Sequence, residues 1–225
     1  MQDRRPKNLQ SVINENYTVK IGDYISRGWE IFKQNPGLLI GYVVILVVIS
    51  SVVFGLPLAL QRTIGPELAQ SISSLINIIV SPPLWAGLFI GCFILHKGQQ
   101  LQFNNFFSGF QYFAQLVIAS LVSAILIIIG FIFCLVPGIY LAIGYSFMIP
   151  LVIDRNLNFW DAMEASRKIV TKQWFSIFAF LIVIGLINTA GALVFGVGLL
   201  VTIPLTYGAM VAAYDDIIGI QKTRF

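Results

Sequence analysis

The stretch that decides the fold is Leu135-Val136-Pro137-Gly138-Ile139-Tyr140, continued through Leu141 to Ile153, the turn Asp154-Arg155-Asn156, and a charged segment ending at Trp174. The residues up to Ile153 are almost all apolar. From Asn158 onward the pattern changes to helical spacing, with Phe159, Ala162, Met163, Ser166, Ile169 and Val170 on one face and Asp161, Glu164, Arg167, Lys168 and Lys172 on the other. Asn158 is placed to cap that helix; its acids lie in the first turns and its bases toward the end, as the helix dipole favours. Glu164 and Lys168 form an i, i+4 pair. The reading is a membrane span, a turn, a surface helix and re-entry into the membrane.

Working outward, the whole chain supports this reading. Of its 225 residues, 57% are hydrophobic and 11% charged, against about a quarter charged in ordinary soluble domains. The expected fold is an all-α integral membrane protein of six transmembrane helices with amphipathic surface helices. The spans are read at about 37–60, at 72–95 with Pro82-Pro83 inside it, and at 114–136, 137–153, 175–201 and 204–218. Residues 61–70 read as a short polar loop; the run before Pro82 is either part of one kinked helix or an outer segment. A first surface helix begins at Ile21 and is broken at Asn35-Pro36, because proline cannot donate to the helical ladder. Residues 1–19 read as a flexible polar tail, with Arg4, Arg5 and Lys7 in it, and 20–225 as one membrane domain. Phe103, Phe106, Phe107, Phe110 and Phe113 sit in a polar context that suits the membrane interface.

Basic residues report orientation. Of the 14 Lys and Arg, all but Arg62 fall on one side of a six-span arrangement, which predicts both termini in the cytoplasm and an inner-membrane location. No cleavable signal peptide is expected, since the first long apolar run begins near Leu38.

Three spans start alike. Counting from Pro82, Pro137 and Pro204, an aromatic residue follows (Trp85, Tyr140, Tyr207), then small residues four apart: Gly87 and Gly91, Ala142 and Ser146, Ala209 and Ala213. Proline suits a first helical turn, the aromatic ring an outer interface, and small residues close helix packing in lipid. The surface helices also align, Asp23 with Asp161 and Gly28 with Ser166. The pattern predicts a three-unit internal repeat over about 20–98, 99–156 and 157–220.

Residues with chemical potential are few. Arg155, Arg167, Lys168 and Lys172 form a candidate surface for anionic lipid or a cytoplasmic protein partner. Asp154, Asp215 and Asp216 near span ends call for cationic partners such as Arg155, Arg167 or Lys168, and structural ion pairs are favoured over an ion or proton relay. Asn188 in the fifth span and Asn77 before Pro82 are expected to hydrogen-bond between helices rather than line a substrate path. Cys92 and Cys134 read as unpaired apolar residues, His96 has no evident partner, and no metal, cofactor or nucleic-acid site is expected. No phosphate loop, nucleophile elbow or metalloprotease motif occurs, so no enzyme activity is expected.

Pro137-Gly138-Ile139-Tyr140, Phe147, Pro150-Leu151-Val152, Asp154, and Asp161-Ala162-Met163 through Ser166-Arg167 to Trp174 together resemble bacterial multi-pass proteins related to the membrane domain of glycerophosphoryl diester phosphodiesterases. In that family the membrane part can be joined to a soluble catalytic domain, for which this chain has no counterpart. The resemblance implies a helical membrane module, accessory to lipid or envelope processes. A transporter or channel for a small solute or lipid is the alternative reading.

Overall fold

A computed structural model describes residues 9–221, and among them every regular element is helical. Five segments are long and apolar enough to cross a membrane. They are α3 (Pro36–Ile64), α4 (Pro66–His96), a 3₁₀ segment (Phe103–Tyr112) continued by α5 (Phe113–Phe133), the pair α6 (Leu135–Gly144) and α7 (Met148–Arg155), and α9 (Trp174–Leu193). Smaller helices are α1 (Leu9–Asn14), α2 (Ile21–Gln34) and α8 (Phe159–Thr171), and α10 spans Leu199–Ile217. Asp215, Asp216, Thr206 and two tyrosines make α10 less apolar than the five, yet Gly208 to Tyr214 is buried throughout. Burial among other helices rather than exposure explains its mixed composition.

The local boundaries follow from sequence chemistry. Asn35 accepts a hydrogen bond from the Leu38 amide at 3.2 Å and Pro36 opens α3, so α2 and α3 meet at a single capping residue. The loop expected at 61–70 is a sharp turn instead. Gly65 takes φ 83°, which a residue with a side chain resists, and Pro66 starts the next helix. Pro82 and Pro83 sit inside one continuous α4. At 1.5 Å per residue α3 and α4 are each about 45 Å long, more than the thickness of a hydrocarbon layer, about 30 Å.

Three further expectations are corrected. The polar tail is docked from Leu9 onward: Val12 is buried, Tyr17 donates to the Ile169 carbonyl at 2.9 Å, and Lys172 to the Glu15 carbonyl at 2.8 Å. Arg4, Arg5 and Lys7 lie outside the described residues. Pro204 lies inside α10, not at its start, because the helix picks up at Leu199. The span read at 137–153 is broken between Gly144 and Met148. There the Ser166 hydroxyl donates to the Gly144 carbonyl at 2.7 Å and accepts from the Phe147 amide at 3.1 Å, replacing helical partners. In the aromatic segment Phe106 is fully buried, stacked on Tyr42 at 4.1 Å, while Phe103, Phe107, Phe110 and Phe113 stay exposed, as the interface reading expects.

Close backbone approaches hold the bundle. A Cβ on Gly28 of α2 would lie 2.5 Å from the Ala209 nitrogen and 2.7 Å from the Leu205 carbonyl of α10. A Cβ on Gly109 would meet the Pro83 carbonyl and the Gly87 nitrogen of α4. Counted from Pro204 and Pro82, these are the same two positions. Amphipathic segments thus press on the small-residue faces of α10 and α4.

Candidate functional site

Two regions concentrate polar chemistry: the charged end of the bundle, and a lateral groove farther along α4. At the charged end the three acids find their partners. Arg27 of α2 donates to Asp215 at 2.8 Å, and His96, ending α4, lies 3.1 Å from the same carboxylate. Asp216 accepts from the Tyr24 hydroxyl at 2.9 Å and pairs with Lys20 at 3.7 Å. Asp154, its side chain fully buried, accepts from the Tyr214 hydroxyl at 2.9 Å and the Gln221 amide at 2.9 Å, with Arg155 Nε at 3.3 Å. These networks tie α2, α4, α7 and α10 together. Burial without partners would be costly for each carboxylate.

Arg155 is therefore not part of an exposed basic surface. Its side chain is 6% exposed and donates to the Ile218 and Gly219 carbonyls, capping the C-terminus of α10. Arg167 grips Glu164 through two bonds of 2.8 and 2.9 Å and reaches the Tyr140 hydroxyl at 3.3 Å. That bidentate contact holds the Glu164 carboxyl below its usual range and raises the Arg167 guanidinium. Lys168 is half exposed and 3.3 Å from Glu164. What remains on the surface is Lys168, with Trp29 and Trp160 also exposed.

The packing positions divide. Gly87, Gly91, Ala209 and Ala213 are buried, as small residues at helix contacts should be. Ala142 is exposed, and Ser146 falls in the turn that breaks the span, its hydroxyl buried without a partner. Tyr140 does not stand with Trp85 and Tyr207. It stacks on Trp174 and touches Thr171 at 2.6 Å, because α8 leans against α6. Asn188 donates to the Thr206 hydroxyl of α10 at 3.3 Å, a bond between helices.

The groove lies between α4, α5, α7 and α10 and has a volume of about 390 Å³. Asn77, Ser81, Trp85 and Tyr207 line it together with apolar Ile78, Leu121 and Ile149. Trp85 and Tyr207 stack at 5.8 Å, about 16 Å from the charged end by helical rise; Asn77 lies about 28 Å from it. A second cavity of about 240 Å³ between α3 and α4 continues outward past Asn77 to Ser74 and Gln70. Nearer the charged end than Trp85, Leu88, Cys92, Phe93, Val211 and Ala212 are fully buried. Gln70, Ser74, Asn77 and Ser81 recur at three or four residues along α4, a polar stripe that sequence periodicity carries but that apolar neighbours obscure.

Comparison with known proteins gives sequence relatives described only as uncharacterized. An uncharacterized protein of Mycobacterium bovis is 26% identical over 227 residues, covering 89% of this chain and 69% of the relative. An uncharacterized protein of Mycobacterium tuberculosis matches with the same identity and coverage. No protein-family model matches the chain. No solved structure matches it.

Proposed function

We propose that the chain is a non-enzymatic integral membrane module of six spans, accessory to lipid or cell-envelope processes through lipid or partner binding. The observation that carries this reading is the dry packing between α4 and α10: Leu88, Cys92, Phe93, Val211 and Ala212 are wholly buried in the half of the bundle toward the charged end. A solute path would need polar, hydrated surface there. Instead, the acids that resemble a relay are consumed in ion pairs and hydrogen bonds.

In this reading α10 is the sixth span, both termini are cytoplasmic, and the charged end faces the cytoplasm. Trp29 and Trp160 sit at headgroup level, and Lys168 meets anionic lipid or a protein partner. The matching contacts of Gly28 on α10 and Gly109 on α4 support a three-unit repeat in which each amphipathic segment packs on the second span of the unit before it, cyclically. Ser166, aligned with Gly28, extends the pattern to α6, at the break. The resemblance to phosphodiesterase membrane domains is in keeping with a lipid-related role.

The second reading, a lipid transporter, is favoured by the groove reaching half-depth at Trp85 and Tyr207. Proteoliposomes separate the two. The module reading expects the full chain to retain lipid through purification while catalysing neither solute flux nor lipid movement between leaflets; saturable movement of either kind refutes it.

A further inference from the structure

We infer that the lateral groove is a binding site for a membrane lipid whose polar part is uncharged and hydrogen-bonding, the class of diacylglycerols and their simple glycosides. The inference deepens the lipid-binding reading above and rests on the chain being embedded in a bilayer. Its starting point is a hydrogen-bond deficit. Among the described residues, the side chains of Asn77, Ser81, Trp85 and Tyr207 make no hydrogen bond or ion pair within the chain, though all four line one cavity. Trp85 and Tyr207 lie near mid-depth, where water does not supply the missing partners and an unmade hydrogen bond is costly. Two other buried tyrosines are satisfied, Tyr42 by the Leu84 carbonyl and Tyr214 by Asp154, while single buried atoms of Ser146, Asn188 and Thr202 lack a partner among the described residues.

The chemistry of the lining selects the ligand. Asn77 both donates and accepts, Ser81 and Tyr207 do either, and Trp85 donates only. No Lys, Arg, His, Asp or Glu lines this groove or its outward continuation. A phosphate headgroup placed there would lose its hydration without a counter-charge, whereas hydroxyls and ester carbonyls match the donors and acceptors present. Depth agrees. The polar groups run from about 28 Å to about 16 Å from the charged end, so the innermost lie near mid-bilayer. A charged headgroup is anchored at the interface; a neutral one can follow its chains inward. The volume of about 390 Å³ accepts a small polar head and the first part of its chains, within the usual ligand-site range of about 300–1,000 Å³. Ile78, Leu121 and Ile149 give those chains an apolar wall, and the groove opens sideways to the lipid.

The native Trp85 provides the test. Trp29, Trp160 and Trp174 are replaced by Phe in the full chain, reconstituted in phosphatidylcholine vesicles, and Trp85 fluorescence is titrated with brominated diacylglycerol, phosphatidylglycerol or phosphatidylcholine. The expected result is saturable quenching by diacylglycerol at about tenfold lower mole fraction than by either phospholipid, an advantage lost in Asn77→Leu/Ser81→Ala. Equal quenching by all three lipids overturns the proposal. Should the triple Phe chain fail to fold, native mass spectrometry of the unaltered protein with the same lipids asks the same question through adduct retention. A photo-crosslinker at Leu121 adds a control: linkage to lipid supports the site, and linkage chiefly to a second copy of the chain overturns it. Failure of the chain to enter vesicles at all would strike the membrane reading; entry without lipid preference would strike the groove alone.

Discussion

Replacing Gly28 by Ala tests the packing that positions α2 on α10. The added Cβ would sit 2.5 Å from the Ala209 nitrogen, 2.7 Å from the Leu205 carbonyl and 2.9 Å from the Ala209 Cα, where ordinary contact begins at 3.4 Å. All three obstacles are backbone, so no side chain can swing aside and α2 must withdraw by about 1 Å. Overpacking of this kind costs about 1–3 kcal/mol, and the rigid neighbours place it at the upper end. Withdrawal also stretches the 2.8 Å Arg27–Asp215 contact and the 2.9 Å Tyr24–Asp216 bond. Against this, alanine improves on glycine inside a helix by about 1 kcal/mol. The net loss is about 2 kcal/mol, which for a chain this size lowers the melting temperature by about 4–8 °C. The control is Gly22→Ala on the same helix, where nothing lies within 4 Å and the propensity gain stands alone. Thermal melts in detergent, read by size-exclusion chromatography, compare the two. If Gly28→Ala is as stable as Gly22→Ala, the close approach of α2 to α10 is refuted.

Other perturbations follow from the charged end. Asp154→Ala strands the buried Arg155 and is expected to cost about 3–5 kcal/mol, seen as a melting-temperature loss larger than that of Gly28→Ala. Tyr42→Phe removes the 2.7 Å bond to the Leu84 carbonyl and should cost about 1 kcal/mol, with the ring stack on Phe106 kept. For Glu164, the contact with Arg167 lowers the folded pKa relative to the unfolded chain. Its stabilisation is therefore present above the ordinary glutamate range and is lost as pH falls through the lowered folded value. Wild type should melt slightly above Glu164→Gln at neutral pH, and the gap should close on acidification; because the pair is solvent-exposed the gap is small, and added salt shrinks it.

How much of this was legible in the sequence depends on the range of the interaction. The Asn35-Pro36 break, the Asn158 cap, which accepts from the Asp161 amide at 2.9 Å, and the Glu164–Lys168 pair are local, and all three are present. The need of Asp154, Asp215 and Asp216 for partners was readable from their depth, and Arg155 beside Asp154 was among the cations in reach, but the other partners were not. Tyr24 and Arg27 come from the other end of the chain and His96 from a different helix, so only the fold brings them together. Arg155 misled because its charge suggested a surface, whereas its guanidinium closes the end of α10. Ala142 and Ser146 misled for another reason: a regular stripe assumes an unbroken helix, and the Ser166 hydroxyl holds this one open. The groove is harder to see in the sequence: Asn77 reads there as a bond between helices, which the structure does not contain among the described residues, and Ser81, Trp85 and Tyr207, spread over two helices, are each unremarkable alone.

The central claim is that the half of the bundle toward the charged end is dry, and Cys92 reports on it directly. It lies wholly buried on α4 with its sulfur 4.0 Å from the Pro204 carbonyl, and Cys134 is exposed. In a Cys134→Ser background, reconstituted full-length protein is treated from both sides with a charged, water-soluble methanethiosulfonate, which needs a hydrated thiolate to react. The account predicts that Cys92 stays unmodified over times in which a cysteine placed at exposed Ser71 reacts fully. Modification of Cys92 at a rate within about tenfold of that control would reveal water between α4 and α10, and would contradict the account in favour of a transport path.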